Sequence, residues 1–131
     1  MPASAIAEWY VAVLVIVTGL SHVLAPRHWG TLFKDLLPLP YAGLLVGLPS
    51  LMVGLWVVLS HNAWTPGIPL IVTLLGWGWT IKGTLYLLVP GLLRRIAGPH
   101  VDRPGHFVFG GVVLIVLGAV VLASRLTAVG A

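Results

Sequence analysis

The sequence predicts an all-α integral membrane protein in which four transmembrane helices form two helical hairpins. Hydrophobic residues make up 59% of the chain and charged residues only 8%, whereas about a quarter of the residues of a soluble domain are charged. Four apolar stretches each approach the ~20 residues that cross a bilayer. Little sequence lies outside them, so we expect a single membrane domain over residues 1–131.

The four predicted spans follow one another through the chain. The N-terminus lacks the basic start of a secretory signal peptide, so the first apolar stretch is expected to remain as a membrane helix. There is no cysteine, which excludes disulfides, thiolate metal sites and cysteine nucleophiles. The approximate bounds of the spans are Ala5–Ala25, Pro40–Ser60, Ile68–Val89 and Phe107–Ala123.

An internal repeat relates the two halves of the chain. The segment Gly19–Pro26 recurs 64 residues later as Gly83–Pro90, and the same offset aligns further glycines of the second and fourth spans. The repeats are expected to cover about residues 1–64 and 65–131. Each holds two spans, so both would have one orientation, unlike the inverted repeats of many transporters.

A short amphipathic helix is predicted between the two spans of each repeat. In the first repeat, apolar residues follow helical spacing from Trp29 to Leu37. In the second, Leu92, Leu93 and Ile96 alternate with Arg94 and Arg95. Helices of this kind lie in the plane of the membrane interface.

Basic residues indicate the orientation. Five of the seven lysines and arginines fall in the two segments that hold the amphipathic helices, which the positive-inside rule assigns to the cytoplasm. Both termini would then lie outside. The isoelectric point near 10.2 is explained by attraction to anionic lipid headgroups, and no nucleic-acid partner is expected. The five residues are Arg27, Lys34, Arg94, Arg95 and Arg103.

Glycines in the second and fourth spans are candidate helix-packing positions, because small residues allow helix backbones to approach closely in lipid. We expect them to form an interface between these two spans; a face for a partner protein is the alternative. The residues are Gly43, Gly47, Gly54, Gly111 and Gly118.

The repeated unit has a first helix that ends in Gly-Leu-x-x-x-Leu-x-Pro (Gly19–Pro26), a basic residue and a tryptophan shortly after (Arg27 and Trp29), and a second helix rich in glycine (Gly47 and Gly54). In these motifs it resembles the YjeT-type family of two-helix bacterial inner-membrane proteins of unknown function. The second copy has Leu93 in place of the tryptophan. The resemblance implies a tandem fusion in the bacterial inner membrane and carries over no catalytic residue.

Lys82 is a charged residue in an unusual position, because it lies inside the third predicted membrane span. An ionisable group in a span is by default a functional hypothesis, although the long stem of a lysine also lets it reach the interface. Its repeat equivalent is Thr18, which with Ser21 and Thr80 is a candidate polar neighbour. Glu8 is ~15 Å away in depth at 1.5 Å per residue, and is expected at the outer interface.

His22 is the one histidine expected within the bilayer, and its repeat equivalent is Tyr86. It could ligate a haem or pigment, although a second intramembrane histidine is lacking. A metal site from the remaining inner histidines matches no ligand spacing, so neither a metal nor a resident cofactor is predicted.

The sequence therefore predicts a protein that is not an enzyme. Neither aspartate lies in a span, and Ser21 and His22 point about 100° apart on a helix, which does not suit a nucleophile and its base. We expect an accessory or assembly subunit of a larger membrane complex, in contact with other subunits or with copies of itself. A small oligomeric transporter or channel that uses Lys82, and haem or pigment binding through His22, are the alternatives.

Overall fold

The protein is all-helical within residues 1–130, the part that the computed structural model describes. Four helices are long and apolar enough to cross a membrane, which confirms the predicted all-α class and the number of candidate spans. The last of them extends beyond the predicted span at both ends. The helices are α1 (Ala3–Leu24), α2 (Pro26–Leu36), α3 (Ala42–Ser60), α4 (Ile68–Leu88), α5 (Leu92–Ala97) and α6 (Pro104–Gly130), with a 3-10 turn over Gly98–His100.

Proline and glycine set the breaks between long and short helices. Pro26 occupies the first turn of α2, where a missing N–H is harmless and its fixed φ favours a helix start. Gly91 has a φ of 80° between α4 and α5, a value that glycine adopts without the clash of a side chain. The two short helices thus occupy the predicted segments; their place at a membrane interface stays a prediction.

Two ends of the bundle can be distinguished. The termini end holds the start of α1, the end of α3, the start of α4 and the end of α6. The basic end, opposite to it, holds α2, α5 and the segment that leads into α6.

The four long helices pack as two pairs, α1 with α6 and α3 with α4. This corrects the expected hairpins, because α1 and α3 are consecutive spans that share few contacts, and so do α4 and α6. Each helix therefore finds its close neighbour in the other half of the sequence.

Glycines make the close approach in each pair. A Cβ added to Gly111 would lie 2.6 Å from the carbonyl oxygen of Gly19, and one added to Gly83 would lie 2.6 Å from that of Gly47. Real Cβ atoms do not approach a carbonyl so closely, so only glycine allows these backbone contacts. The two contacts are related by the offset of 64 residues.

The other predicted packing glycines also face a neighbouring helix. Gly43 and Gly54 lie against Tyr86 and Thr80 of α4, and Gly118 lies against Ile16 of α1. The expected interface between the second and fourth spans was therefore wrong. The glycines of α3 face α4 and those of α6 face α1, because each stripe needs a partner with its own small residues at matching heights.

The space between the two pairs differs from one end to the other. Towards the termini end it is filled by fully buried valines that come from all four long helices, namely Val11, Val15, Val57, Val72 and Val121. Towards the basic end the two pairs separate and leave a cavity, which α2 closes on the side of the basic end.

Polar contacts hold the short segments together at the basic end. Arg94 donates hydrogen bonds from Nε and Nη2 to the carbonyl oxygen of Leu37, at 3.2 and 3.0 Å. Lys34 Nζ lies 2.7 Å from Asp102 Oδ1, and this hydrogen bond and the negative charge of Asp102 raise the pKa of the exposed lysine. Two of the five residues assigned to lipid headgroups thus also make internal contacts.

We predict that Gly111→Ala destabilises the protein, because the new methyl group would meet the Gly19 carbonyl. The expected loss in the free energy of unfolding is about 1–3 kcal/mol, measured by denaturation in mixed detergent micelles.

Gly110→Ala is the matched control, because a Cβ there has no heavy atom within 4 Å. Equal stability of the two variants would contradict the close contact between α1 and α6.

Candidate functional site

A cavity of about 760 Å³ lies between the two helix pairs in the half nearest the basic end. Most of its wall is aliphatic or aromatic, and α2 closes it towards the basic end. Its polar lining comes from a few side chains on three of the long helices, namely Thr18 and His22 of α1, Ser50 of α3 and Lys82 of α4.

Lys82 is the one charged residue in this lining. Among residues 1–130, no carboxylate oxygen lies within 4.0 Å of its amine. Charged groups inside a span usually pair with one another or with backbone carbonyls. The amine therefore faces the cavity without a fixed counter-charge from the described chain.

Thr18 and His22 form the side of the cavity that α1 contributes. The imidazole of His22 is held by its Nδ1, 2.7 Å from the carbonyl oxygen of Thr18, and by stacking on Trp29 at a centroid distance of 4.1 Å. A carbonyl accepts the proton on Nδ1, so Nε2 is the ring nitrogen left to meet a ligand. Trp29 donates from Nε1 to Ser21 Oγ at 2.9 Å.

The sequence-predicted site residues therefore divide into two groups. Lys82, Thr18 and His22 line one cavity. Ser21 instead holds Trp29 in place. Tyr86 is buried with Leu37 at the basic end and contributes nothing to the cavity wall.

A second polar site, the Glu8 cluster, lies at the termini end and consists of Glu8, His61, Thr73 and Arg125. Glu8 is only 7% exposed, so it packs among the helices at this end; its depth in a membrane stays a prediction. Its Oε2 is 3.1 Å from His61 Nε2, and its Oε1 is 3.3 Å from Arg125 Nε. The arginine contact has the distance of an ion pair without the alignment of a hydrogen bond.

Thr73 connects this cluster to the loop between α3 and α4. Its hydroxyl lies 3.1 Å from His61 Nδ1, 2.7 Å from the carbonyl oxygen of Ala63 and 3.0 Å from that of Pro69. The Thr73 hydroxyl oxygen also accepts a hydrogen bond from the Ala63 N–H at 3.1 Å. The side chain thereby fixes the loop on the start of α4.

The order of carboxylate, imidazole and hydroxyl resembles that of a hydrolase triad, but the geometry does not make Thr73 a nucleophile. The side chain is fully buried, and its proton already goes to a backbone carbonyl. No substrate atom can reach the hydroxyl in this arrangement.

Sequence reasoning missed the Glu8 cluster, although a signal was present. His61 and Arg125 are related by the offset of 64 residues, and both meet the same carboxylate. A search for polar residues at equivalent ends of the two repeats would have placed both at the termini end, the end that also holds Glu8.

Among residues 1–130, no group of three or more histidines and carboxylates is placed to hold a metal ion. His100 and His106 are exposed at the basic end, with their Nδ1 atoms 2.6 Å apart, and stand as a pair only.

Comparisons with protein-family models, with curated proteins and with solved structures found no match to this chain. The resemblance to the YjeT-type family therefore stays a prediction from the motifs.

We predict that Thr73→Val lowers the free energy of unfolding by about 1–3 kcal/mol, because it leaves buried partners of the hydroxyl without a hydrogen bond. Chemical denaturation followed by tryptophan fluorescence measures the change.

Thr84→Val is the comparison, since the Thr84 hydroxyl donates only within its own helix, to the Thr80 carbonyl. A Thr73 variant no less stable than the Thr84 variant would contradict the role assigned to the buried hydroxyl.

Proposed function

We propose that this chain is a small membrane transporter whose cavity binds an amphipathic molecule with one negative charge. The observation that supports the proposal is the Lys82 amine, which faces the cavity with no carboxylate within reach among residues 1–130.

The electrostatics favour an anion. An ammonium group surrounded by apolar walls and lipid is costly to leave without a counter-charge, and attraction to an opposite charge is strong in such surroundings. A bound anion would offset this cost. The long aliphatic and aromatic remainder of the wall, with Trp29 and Trp79, suits the apolar part of the same molecule.

The size of the cavity supports a small organic ligand. Its volume of about 760 Å³ is within the range of about 300–1,000 Å³ that is typical of ligand pockets. A single inorganic anion would leave most of this space unfilled.

The arrangement of the helices supports movement between the two pairs. On our proposal the chain is a duplicated two-span unit whose copies have exchanged partners, so that each pair holds one helix from each copy. Thr18 and Lys82 are equivalent positions, and both line the cavity. The cavity would then lie where the two copies meet, as substrate sites do in repeat-built transporters.

The distribution of basic residues supports an orientation in the bacterial inner membrane with both termini outside. The termini end is then the outer end, and α2 and α5 are interfacial helices on the cytoplasmic side. Arg27, Arg95 and Arg103, all exposed, would meet anionic lipid headgroups.

We predict that Lys82→Met removes the preference for an anion. The probe is dansyl-labelled undecanoic acid, compared with its uncharged methyl ester. Energy transfer from tryptophan to dansyl in reconstituted protein measures binding. The acid should bind about tenfold more tightly than the ester, which is about 1.4 kcal/mol, and Lys82→Met should abolish the difference.

Lys82→Arg, which keeps the charge, and Arg95→Met, which removes an exposed cation, are the matched controls and should keep the preference. Flux of the acid in reconstituted liposomes tests transport itself. Unchanged flux in Lys82→Met would contradict the proposed role of the lysine.

An accessory or assembly subunit of a larger membrane complex is the second candidate. The outward side of α3 supports it, because large apolar residues are exposed along the helix and must meet lipid, another subunit or another copy of the chain; they are Leu44, Leu48, Met52, Leu55 and Leu59. Purification in mild detergent that yields only free protein, with no stoichiometric partner, would exclude it.

Haem or pigment binding through His22 is the third candidate, supported by the fixed imidazole in the cavity wall. A purified protein without a visible absorption band would exclude it.

A further inference from the structure

The hydroxyl of Thr73 determines where the protons of the Glu8 cluster lie. A threonine hydroxyl has one proton to donate and two lone pairs that accept. The contacts of 2.7 Å with the Ala63 carbonyl oxygen and 3.0 Å with that of Pro69 each join two oxygens, so the one hydroxyl proton is directed towards these carbonyls. The Ala63 N–H fills one lone pair.

The second lone pair then accepts a proton from His61 Nδ1, at 3.1 Å. The opposite assignment, with Thr73 donating to Nδ1, would leave the hydroxyl oxygen against both the Ala63 and the Pro69 carbonyls with no proton directed at either. His61 therefore carries a proton on Nδ1.

This assignment fixes the contact between His61 and Glu8. A neutral imidazole protonated on Nδ1 has a lone pair on Nε2, and an ionised Glu8 also presents a lone pair there. The two atoms are 3.1 Å apart, a hydrogen-bond distance, so one further proton must lie between them. It belongs either to an imidazolium or to a neutral carboxylic acid.

We infer that the Glu8–His61 contact is a proton-binding site that holds the two helix pairs together at the termini end. Glu8 belongs to the α1–α6 pair and His61 follows α3 of the other pair. Their contact is the polar link between the pairs, directly above the buried valines that separate the cavity from this end.

Loss of the proton to water would turn the attraction between Glu8 and His61 into a repulsion. The carboxylate would face the Nε2 lone pair of a neutral imidazole, and this repulsion separates the pairs. The other groups around the site do not replace the proton. Arg125 of α6 pairs with the remaining carboxylate oxygen, and Thr73 of α4 is occupied by Ala63.

The site regulates the cavity of the proposed function, and in this respect the inference depends on that proposal. As the pH rises, the termini end opens and the cavity becomes accessible from that side. The experiment below needs no ligand, so it can fail or succeed independently of anion binding at Lys82.

The absence of cysteine from the chain allows a direct test by single-cysteine labelling in liposomes. Val57→Cys places a thiol in the buried layer between the pairs. Its labelling by a membrane-impermeant thiol reagent should be slow at acidic pH and rise severalfold at alkaline pH, because loss of the shared proton opens this end.

Two controls make this result specific. Thr65→Cys, in the exposed loop, corrects for the greater reactivity of the thiolate at high pH. Glu8→Gln should abolish the rise, because its amide donates to His61 Nε2 without a titratable proton. Glu8→Ala, which lacks this donor, should leave Val57→Cys accessible at every pH.

A corrected labelling rate that does not change with pH would overturn the inference, as would equal rates for Glu8→Gln and Glu8→Ala. Nitrogen-15 spectra of histidine-labelled protein give an independent measure, with the His61 signal assigned by its loss in His61→Gln. A protonated Nδ1 is expected, and a bare Nδ1 would overturn the proton assignment even if a cysteine variant failed to fold.

Discussion

The approach of two backbones at glycine is the constraint on which the rest of this structure depends. In lipid there is little hydrophobic gain when two helices meet, so association relies on close packing. Gly111 lies against Gly19 and Gly47 against Gly83, and these contacts fix which helices form pairs. The pairing in turn leaves a space between α1 and α3, where the cavity lies.

The two polar sites differ in whether the fold places an opposite charge beside the charged side chain. The buried carboxylate of Glu8 lies between the buried His61 and the half-buried Arg125. The amine of Lys82 has no such carboxylate among residues 1–130. A charge that is neutralised within the fold stabilises one arrangement of the helices. A charge that is not neutralised is free to respond to a molecule that enters.

Composition and periodicity were enough to predict four spans and the short helices over residues 26–36 and 92–97, because these features depend on local sequence. Helix pairing could not be predicted, since Gly54 and Gly118 have the same local pattern and either neighbouring helix could match it. The cavity could be predicted in part, because the repeat places Thr18 and Lys82 at the same depth. The Glu8 cluster could not be predicted, because a contact between residues 8 and 61 depends on how the two helix pairs come together.

Exchange of partners between the two halves has a consequence for biosynthesis. The ribosome makes α1 well before its close neighbour α6, so the glycine face of α1 enters the membrane before its partner exists. During that interval Gly19 faces lipid, and the polar Glu8 lacks Arg125. The pairing of α1 is therefore completed only after α6 is inserted, and a chain truncated before α6 would leave α1 without its main neighbour.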